Sequence, residues 1–223
     1  MARLPRLEWP GQMHYVILRG HGALTSPGVF TDAADRLVFL AALREAAAAE
    51  ALRVHAYALL HDEAQLLVTP NAPGALGRLV QTVGRRYVSA YNRRHGRRGS
   101  LWAGRFHSAV IEGGALALAT LRLVDGASTE PGASSAGHRI GAALETWLSD
   151  PPEVWALGNT PFEREAAYRT LLAQGVRPEE AVALRRAALG GWVLGSAAFV
   201  ASAERITARP AAPRPRGRPR NST

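Results

Sequence analysis

The chain has 223 residues, 47% of them apolar, and its 27 basic and 18 acidic side chains leave a net charge of +9; this fits one core of ordinary size plus an appendage, on a strongly basic molecule. With no cysteine, disulfides, thiolate-bound zinc and thiol catalysis are excluded. No run approaches the roughly 20 apolar residues that a bilayer-spanning helix needs, and residues 1–10 carry no apolar signal core, so a cytoplasmic protein without membrane contact is expected.

Met13–Leu18 (Met-His-Tyr-Val-Ile-Leu) reads as a first strand, closed by Arg19-Gly20. Thr31 or Asp32 can cap a helix running to about Ala51, with Leu37, Leu40 and Leu43 at helical spacing. Arg53–Leu60 and Ala64–Thr69 read as two strands joined by a polar His61-Asp62 turn, and residues 70–74 break the chain. A helix from about Ala75 to Asn92 follows, with Leu76, Leu79, Val80, Val83 and Tyr87 on an apolar stripe and Arg78 and Arg85 opposite. Gly96 and Gly99 end it in a loop. His107–Ile111 reads as a fourth strand and Ala115–Val124 as a short helix. The order βαββαβα is that of an α+β fold, an antiparallel sheet in a split βαβ pattern with helices packed on it. Residues 126–137, rich in Gly, Ser, Thr and Ala, are expected to form a mobile linker. Helices around Ile140–Leu148, Pro161–Gln174, Pro178–Ala188 and Ala197–Ile206 would make residues 138–208 a helical extension, and the Pro- and Arg-rich residues 209–223 are expected to be disordered.

Every basic side chain is arginine. The codon bias of a GC-rich genome accounts for that choice but not for where the arginines sit. No acid occurs between Ala64 and Ile111, an interval that holds Arg78, Arg85, Arg86, Arg93, Arg94, Arg97, Arg98 and Arg105; a second acid-free run follows Glu204. The guanidinium fork matches phosphates and base edges, and clustered positive charge is the footprint of a polyanion binder. Nucleic acid is therefore the expected partner, with Arg19, Arg85, Arg86, Arg93, Arg94, Arg97, Arg98 and Arg105 as candidate contacts. Tyr91, near the helix end, is a candidate for stacking on a base. Trp102 and Phe106 either stack on unpaired bases or pack beneath the basic loop. In the tail, Pro215-Arg216-Gly217-Arg218-Pro219 is the core of an AT-hook. Arg216 and Arg218 would enter an A·T-rich minor groove, attract phosphates without specificity, or have no role.

Tyr57–Val68, Tyr-Ala-Leu-Leu-His-Asp-Glu-Ala-Gln-Leu-Leu-Val, resembles the second hairpin of the REP-associated tyrosine transposases, members of the HUH class of single-strand DNA nucleases. There the segment reads roughly Tyr-x-Leu-Met-x-Asn-His-x-His-Leu-Leu-Val. Residues 7–11 (Leu-Glu-Trp-Pro-Gly), 87–99, 101–106 (Leu-Trp-Ala-Gly-Arg-Phe) and 192–195 with Phe199 resemble further parts of the same family in the same order. The resemblance spans most of residues 1–206. It implies a ferredoxin- or RRM-like HUH fold over residues 1–125, a bacterial, nucleoid-associated protein, and single-stranded or hairpin DNA as partner.

The resemblance also implies a chemistry. Two histidines on one strand face hold a divalent metal that polarises the scissile phosphate, and a tyrosine on a following helix attacks phosphorus. Glu63 and Gln65 stand at the matched histidine positions. Leu123 stands at the tyrosine position, within Leu121–Thr129, where the family reads like Leu-x-Tyr-Val-x-x-Asn-Pro-Val-Arg-Ala. Residues two apart on a strand face the same way. Glu63 and Gln65 would thus either offer oxygens to a hard cation together with His61 or form a solvent-facing polar pair at a strand end. Tyr87 falls on the apolar stripe, and Tyr15 and Tyr168 lie in no basic or metal context, so no other tyrosine takes the nucleophile's place. The expectation is a catalytically inactive DNA-binding relative that needs no cofactor. The alternatives are an active transposase using Mg²⁺ or Mn²⁺ with an unrecognised nucleophile, and a decaying remnant.

Overall fold

A computed structural model of the chain describes residues 6–22 and 28–213. In chain order the elements are β1 (Met13–Arg19), α1 (Ala33–Ala49), β2 (Arg53–Leu60), β3 (Glu63–Thr69), α2 (Ala75–Arg94), β4 (His107–Ile111), α3 (Ala115–Asp125), α4 (Ala136–Arg139), α5 (Pro152–Trp155), α6 (Pro161–Gln174), α7 (Pro178–Gly190), β5 (Val193–Leu194) and α8 (Ala197–Thr207). The strands form one sheet in the order β2-β3-β1-β4-β5. β1 runs antiparallel to β3 and β4, and β2 antiparallel to β3. The expected antiparallel sheet is in fact mixed, because Val193-Leu194 returns beside β4 as a parallel fifth strand. Two residues are too few to show a strand's alternation. Gly191, at φ +70 after α7, makes the reversal that brings them there.

The sheet is covered on both faces. Val16, Leu18, Leu59, Leu66 and Val68 point to one side and pack with Phe39 and Leu43 of α1 and Leu76, Leu79, Val83 and Tyr87 of α2. Tyr15, Ile17, Ala56, Ala58, Leu67, Ala109 and Ile111 point to the other and pack with Leu121 and Val124 of α3 and Leu184, Ala187 and Ala188 of α7. The central strand β1 is buried on both faces, which is why its sequence is an unbroken apolar run rather than an alternation. Asp32 settles the choice of cap for α1: its carboxylate accepts the Asp35 N–H at 3.0 Å. α6 begins with Pro161 and a reciprocal box in which Thr160 Oγ1 accepts the Glu163 N–H while Glu163 Oε2 accepts the Thr160 N–H.

Two expectations are corrected. No helix spans residues 140–148: α4 stops after Arg139, Gly141 takes a positive φ of 73°, and the segment runs on through turns. Tertiary contacts hold it, with the Tyr57 hydroxyl donating to Glu145 at 2.9 Å and Trp147 stacked on the Tyr57 ring at 6.0 Å. Nor is 126–137 a free connection, since β2 is the edge strand and this segment covers its exposed backbone. The Leu59 N–H donates to Ala133 O at 2.7 Å, and the Ser135 N–H to Tyr57 O at 3.0 Å.

The segment is also anchored by charge. Asp125, the last residue of α3, is buried, and its carboxylate accepts from Arg139 at 2.7 Å, the Tyr168 hydroxyl at 2.6 Å and Ser135 Oγ at 2.5 Å. Arg139 is equally buried and also donates to His55 O and faces Asp150 at 3.2 Å. A buried ion pair persists only when its carboxylate is matched, and here both Asp125 oxygens accept hydrogen bonds. Burial, and then the Asp125 charge, push the Tyr168 hydroxyl well above its usual pKa. No helix among the described residues is long and apolar enough to cross a membrane. Arg216 and Arg218 of the AT-hook-like core lie outside the described residues.

Two buried histidines make the fold acid-sensitive. His14 donates from Nδ1 to Gln12 O at 2.8 Å and accepts the Trp9 N–H on Nε2 at 3.2 Å, which fixes it as neutral. His55 lies between Ser149 O at 2.6 Å and Thr69 Oγ1 at 2.8 Å. Burial lowers both to about 4 from an ordinary value of 6.5. The unfolded chain therefore binds more protons than the folded one between pH 6.5 and 4. The stability that each neutral ring contributes is complete above pH 6.5 and is lost as pH falls through that window, on the order of 3 kcal/mol per residue. Urea denaturation across that range should show stability rising with pH, and His14→Gln should flatten the slope by about one proton's worth.

Candidate functional site

Glu63 and Gln65 open β3 and sit opposite Arg19 and Ile17 of β1. Both face α3 and α7, and both are buried, at 8% and 5% exposure. A carboxylate on such a face needs a countercharge, and α7 supplies it. Arg185 donates from its two terminal nitrogens to Glu63 Oε1 at 2.8 Å and Oε2 at 2.6 Å, a bidentate pair. The Gln65 amide donates to Glu63 Oε1 at 2.8 Å, and the Tyr15 hydroxyl donates to Gln65 Oε1 at 2.8 Å. The four side chains form one connected chain of hydrogen bonds. The pair is thus neither solvent-facing nor joined by His61, whose side chain is two-thirds exposed in the β2–β3 turn and faces Asp62 at 3.3 Å. Among the described residues no group of three His, Cys, Asp or Glu side chains is placed to hold a metal ion.

Tyr15 and Tyr168 also differ from expectation, because each touches an arginine–carboxylate pair. Tyr15 is fully buried. Burial pushes its hydroxyl pKa up, and the nearby Glu63 charge adds to the shift against the opposing pull of Arg185. A nucleophilic phenol needs the reverse, an exposed hydroxyl held near ionisation. Hydrogen bonding to Glu63 raises the Arg185 pKa further, so the guanidinium is permanently charged. Beside this array lies a cleft of about 270 Å³ lined by Tyr15, Gln65, Leu123, Ala127, Val182 and Arg185. α3 therefore brings Leu123 to the same cleft as Gln65, and the side chain there is aliphatic.

The arginine cluster is thinned by folding. α1 lies along α2 and places acids against it: Arg78 pairs with Glu50 at 2.7 Å, Arg86 with Glu45, and Arg94 with both Asp32 and Asp35. Arg94 and the Asp35 N–H hold the Asp32 carboxyl far below the usual range. Arg86 and Arg94 thus serve the α1–α2 packing. Among the described residues Arg85, Arg93, Arg98 and Arg105 are exposed and make no ion pair, and Arg19 is exposed at the end of β1. Tyr91 is buried, and its hydroxyl donates to Gly28 O at 2.6 Å, so it is not available to stack on a base. Tyr87 is buried as expected, in an aromatic cluster with Phe30, Phe39 and Trp102.

Sequence reasoning did not find Arg185. It lies 122 positions from Glu63 in a helix with no motif of its own. The one signal was negative, an unpaired carboxylate at a position destined for a covered sheet face. Removing Arg185 strands that carboxylate. Arg185→Met should destabilise the fold by ~2 kcal/mol, below the ~3–5 kcal/mol of a fully buried pair because the arginine is 43% exposed. Arg185→Met combined with Glu63→Gln should recover part of the loss, giving a positive coupling in a urea-denaturation double-mutant cycle.

No family model matches the chain, and no curated protein matches it. Among solved structures, a REP-associated tyrosine transposase bound to a REP hairpin is similar in shape. Its TM-score is 0.52 at 8% identity, over 69% of this chain and 93% of that one. A candidate transposase from Deinococcus radiodurans R1 is 22% identical over 48% of this chain and 84% of its own, with a TM-score of 0.34 that is too low to bear on the fold. At 8% identity the first likeness is one of architecture: the chain has the α+β, HUH-like fold of a transposase.

Proposed function

We propose that this protein binds hairpin or single-stranded DNA and does not cut it. The observation that carries this reading is the Glu63–Arg185 pair. Where the resembling family keeps two metal-binding imidazoles, both oxygens of Glu63 are engaged by a guanidinium and Gln65 is engaged by Glu63 and Tyr15. A divalent cation would have to displace Arg185 to reach the carboxylate. Leu123, at the position that the resemblance gives to the nucleophile, has no atom that can attack phosphorus. Binding is supported by the exposed arginines Arg19, Arg85, Arg93, Arg98 and Arg105 and by the fold shared with a transposase solved on a REP hairpin. Arg216 and Arg218 of the tail would add contacts to an adjoining A·T-rich duplex.

Two outcomes are expected. In a shift assay the protein should retard a hairpin oligonucleotide with an affinity that falls steeply with salt, and incubation with Mg²⁺ or Mn²⁺ should yield no denaturation-resistant protein–DNA adduct. An adduct would overturn the assignment of inactivity, and absence of retardation at low salt would overturn DNA binding. Replacing Arg93 and Arg98 together by alanine should weaken binding to all hairpin sequences alike and reduce the salt slope by about 2. Unchanged affinity would remove that loop from the contact surface.

A further inference from the structure

The cleft beside Glu63 is built from two helices over one strip of sheet. On α7, Ala181 and Val182 stand four and three positions before Arg185, and on α3 Leu123 stands four before Ala127, so each helix turns one side to the opening. Apart from Arg185 these walls are aliphatic, and Val182 is 65% exposed. Alanine on both walls helps to leave the volume of about 270 Å³ open. The buried side chains of Tyr15 and Gln65 make the polar end.

At that end the side-chain acceptors are engaged and the donors are in excess. Both Glu63 oxygens accept from Arg185, Oε1 accepts from the Gln65 amide as well, and Gln65 Oε1 accepts the Tyr15 hydroxyl. The Tyr15 oxygen itself lies within reach of Arg185. A side-chain amide carries two N–H groups and a guanidinium five, so these bonds leave N–H groups over on both Gln65 and Arg185. A group that meets them in the cleft must be a hydrogen-bond acceptor. It gains little from a negative charge, because Glu63 cancels that of Arg185 and would itself repel an anion.

Aliphatic walls with a few convergent polar groups at one end are the usual make-up of a small-molecule site. We propose that this cleft binds a small aliphatic molecule through a neutral carbonyl oxygen, which accepts from the Gln65 amide and Arg185 while the hydrocarbon lies between the α3 and α7 walls. None of the arginines assigned to DNA above lines the cleft, so the two readings stand or fall separately.

The test uses three ring probes that differ in their polar group: cyclohexanone, cyclohexanecarboxylate and cyclohexylammonium. Each is titrated into full-length protein labelled at its Leu and Val methyls, and the Leu123 and Val182 resonances are followed by NMR. Cyclohexanone should shift both saturably, with a dissociation constant on the order of 1 mM, the scale open to so small a ligand. The carboxylate should bind about fivefold more weakly, and the ammonium, which offers only donors, should leave both resonances in place. Leu123→Trp fills the cleft and should abolish the Val182 shift. Ala181→Leu, on a helix that accepts leucine, should weaken cyclohexanone about tenfold, the burial of roughly two methylenes, and it decides the matter if the tryptophan disturbs the fold. Glu63→Gln leaves the Arg185 charge uncancelled and should reverse the order of ketone and carboxylate. Three results overturn the site: no probe moves these methyls, the ammonium binds as well as the ketone, or Ala181→Leu leaves the ketone's affinity unchanged. An order that survives Glu63→Gln overturns the choice of a neutral head group.

Discussion

A carboxylate on the covered face of a sheet constrains everything packed over it, and in this protein that carboxylate is Glu63. A buried carboxylate needs a countercharge, and among the described residues α7 supplies it through Arg185. The consequence is structural as well as chemical. Arg185 ties the C-terminal helices to the start of β3, so the α7 face and the sheet are fixed relative to one another. The geometry of the pair, two parallel N–H···O contacts with Gln65 and Tyr15 completing the set, leaves few ways for α7 to shift while keeping each polar atom matched. Glu63 and Gln65, with Arg185 and Tyr15, form an internal bracket between the sheet and α7.

The same logic recurs at the other end of α3. Asp125 and Arg139 are a second buried pair, completed by Tyr168, Ser135 and Asp150. It draws the 126–137 segment onto the edge of β2 and seats α4 and α6 beside it. α3, which carries Leu123 into the cleft, is thus fixed at its C-terminal end by charge and along its length by Leu121 and Val124. The cleft between Leu123 and Gln65 therefore has stiff walls, and its floor is a tyrosine whose proton burial retains.

Electrostatics sort the arginines into two populations. Those facing α1 are consumed in packing, where the acids of one helix meet the bases of the next. Arg85, Arg93, Arg98 and Arg105 remain exposed, and they define a basic surface narrower than the acid-free stretch of sequence implies. Partial neutralisation restricts where a polyanion can lie, so the tertiary charge pattern carries more information than the net charge of +9.

Local periodicity and punctuation by themselves determined the first four strands, α2 and the three long C-terminal helices to within a few residues. Period-two and period-3.6 patterns report which side of an element is covered, and the central strand's unbroken apolar run reports burial on both faces. The same spacing placed Glu63 and Gln65 on one face. What covers that face was decided by the tertiary structure alone. Arg185, Tyr15 and Leu123 converge from three elements, and no sequence pattern specifies contacts across 122 positions. The fifth strand, the turns of residues 140–148 and the pairing of Arg86 and Arg94 were hidden for a related reason. Each is held by partners distant in sequence rather than by its own propensity, and long-range pairing depends on the path of the whole chain.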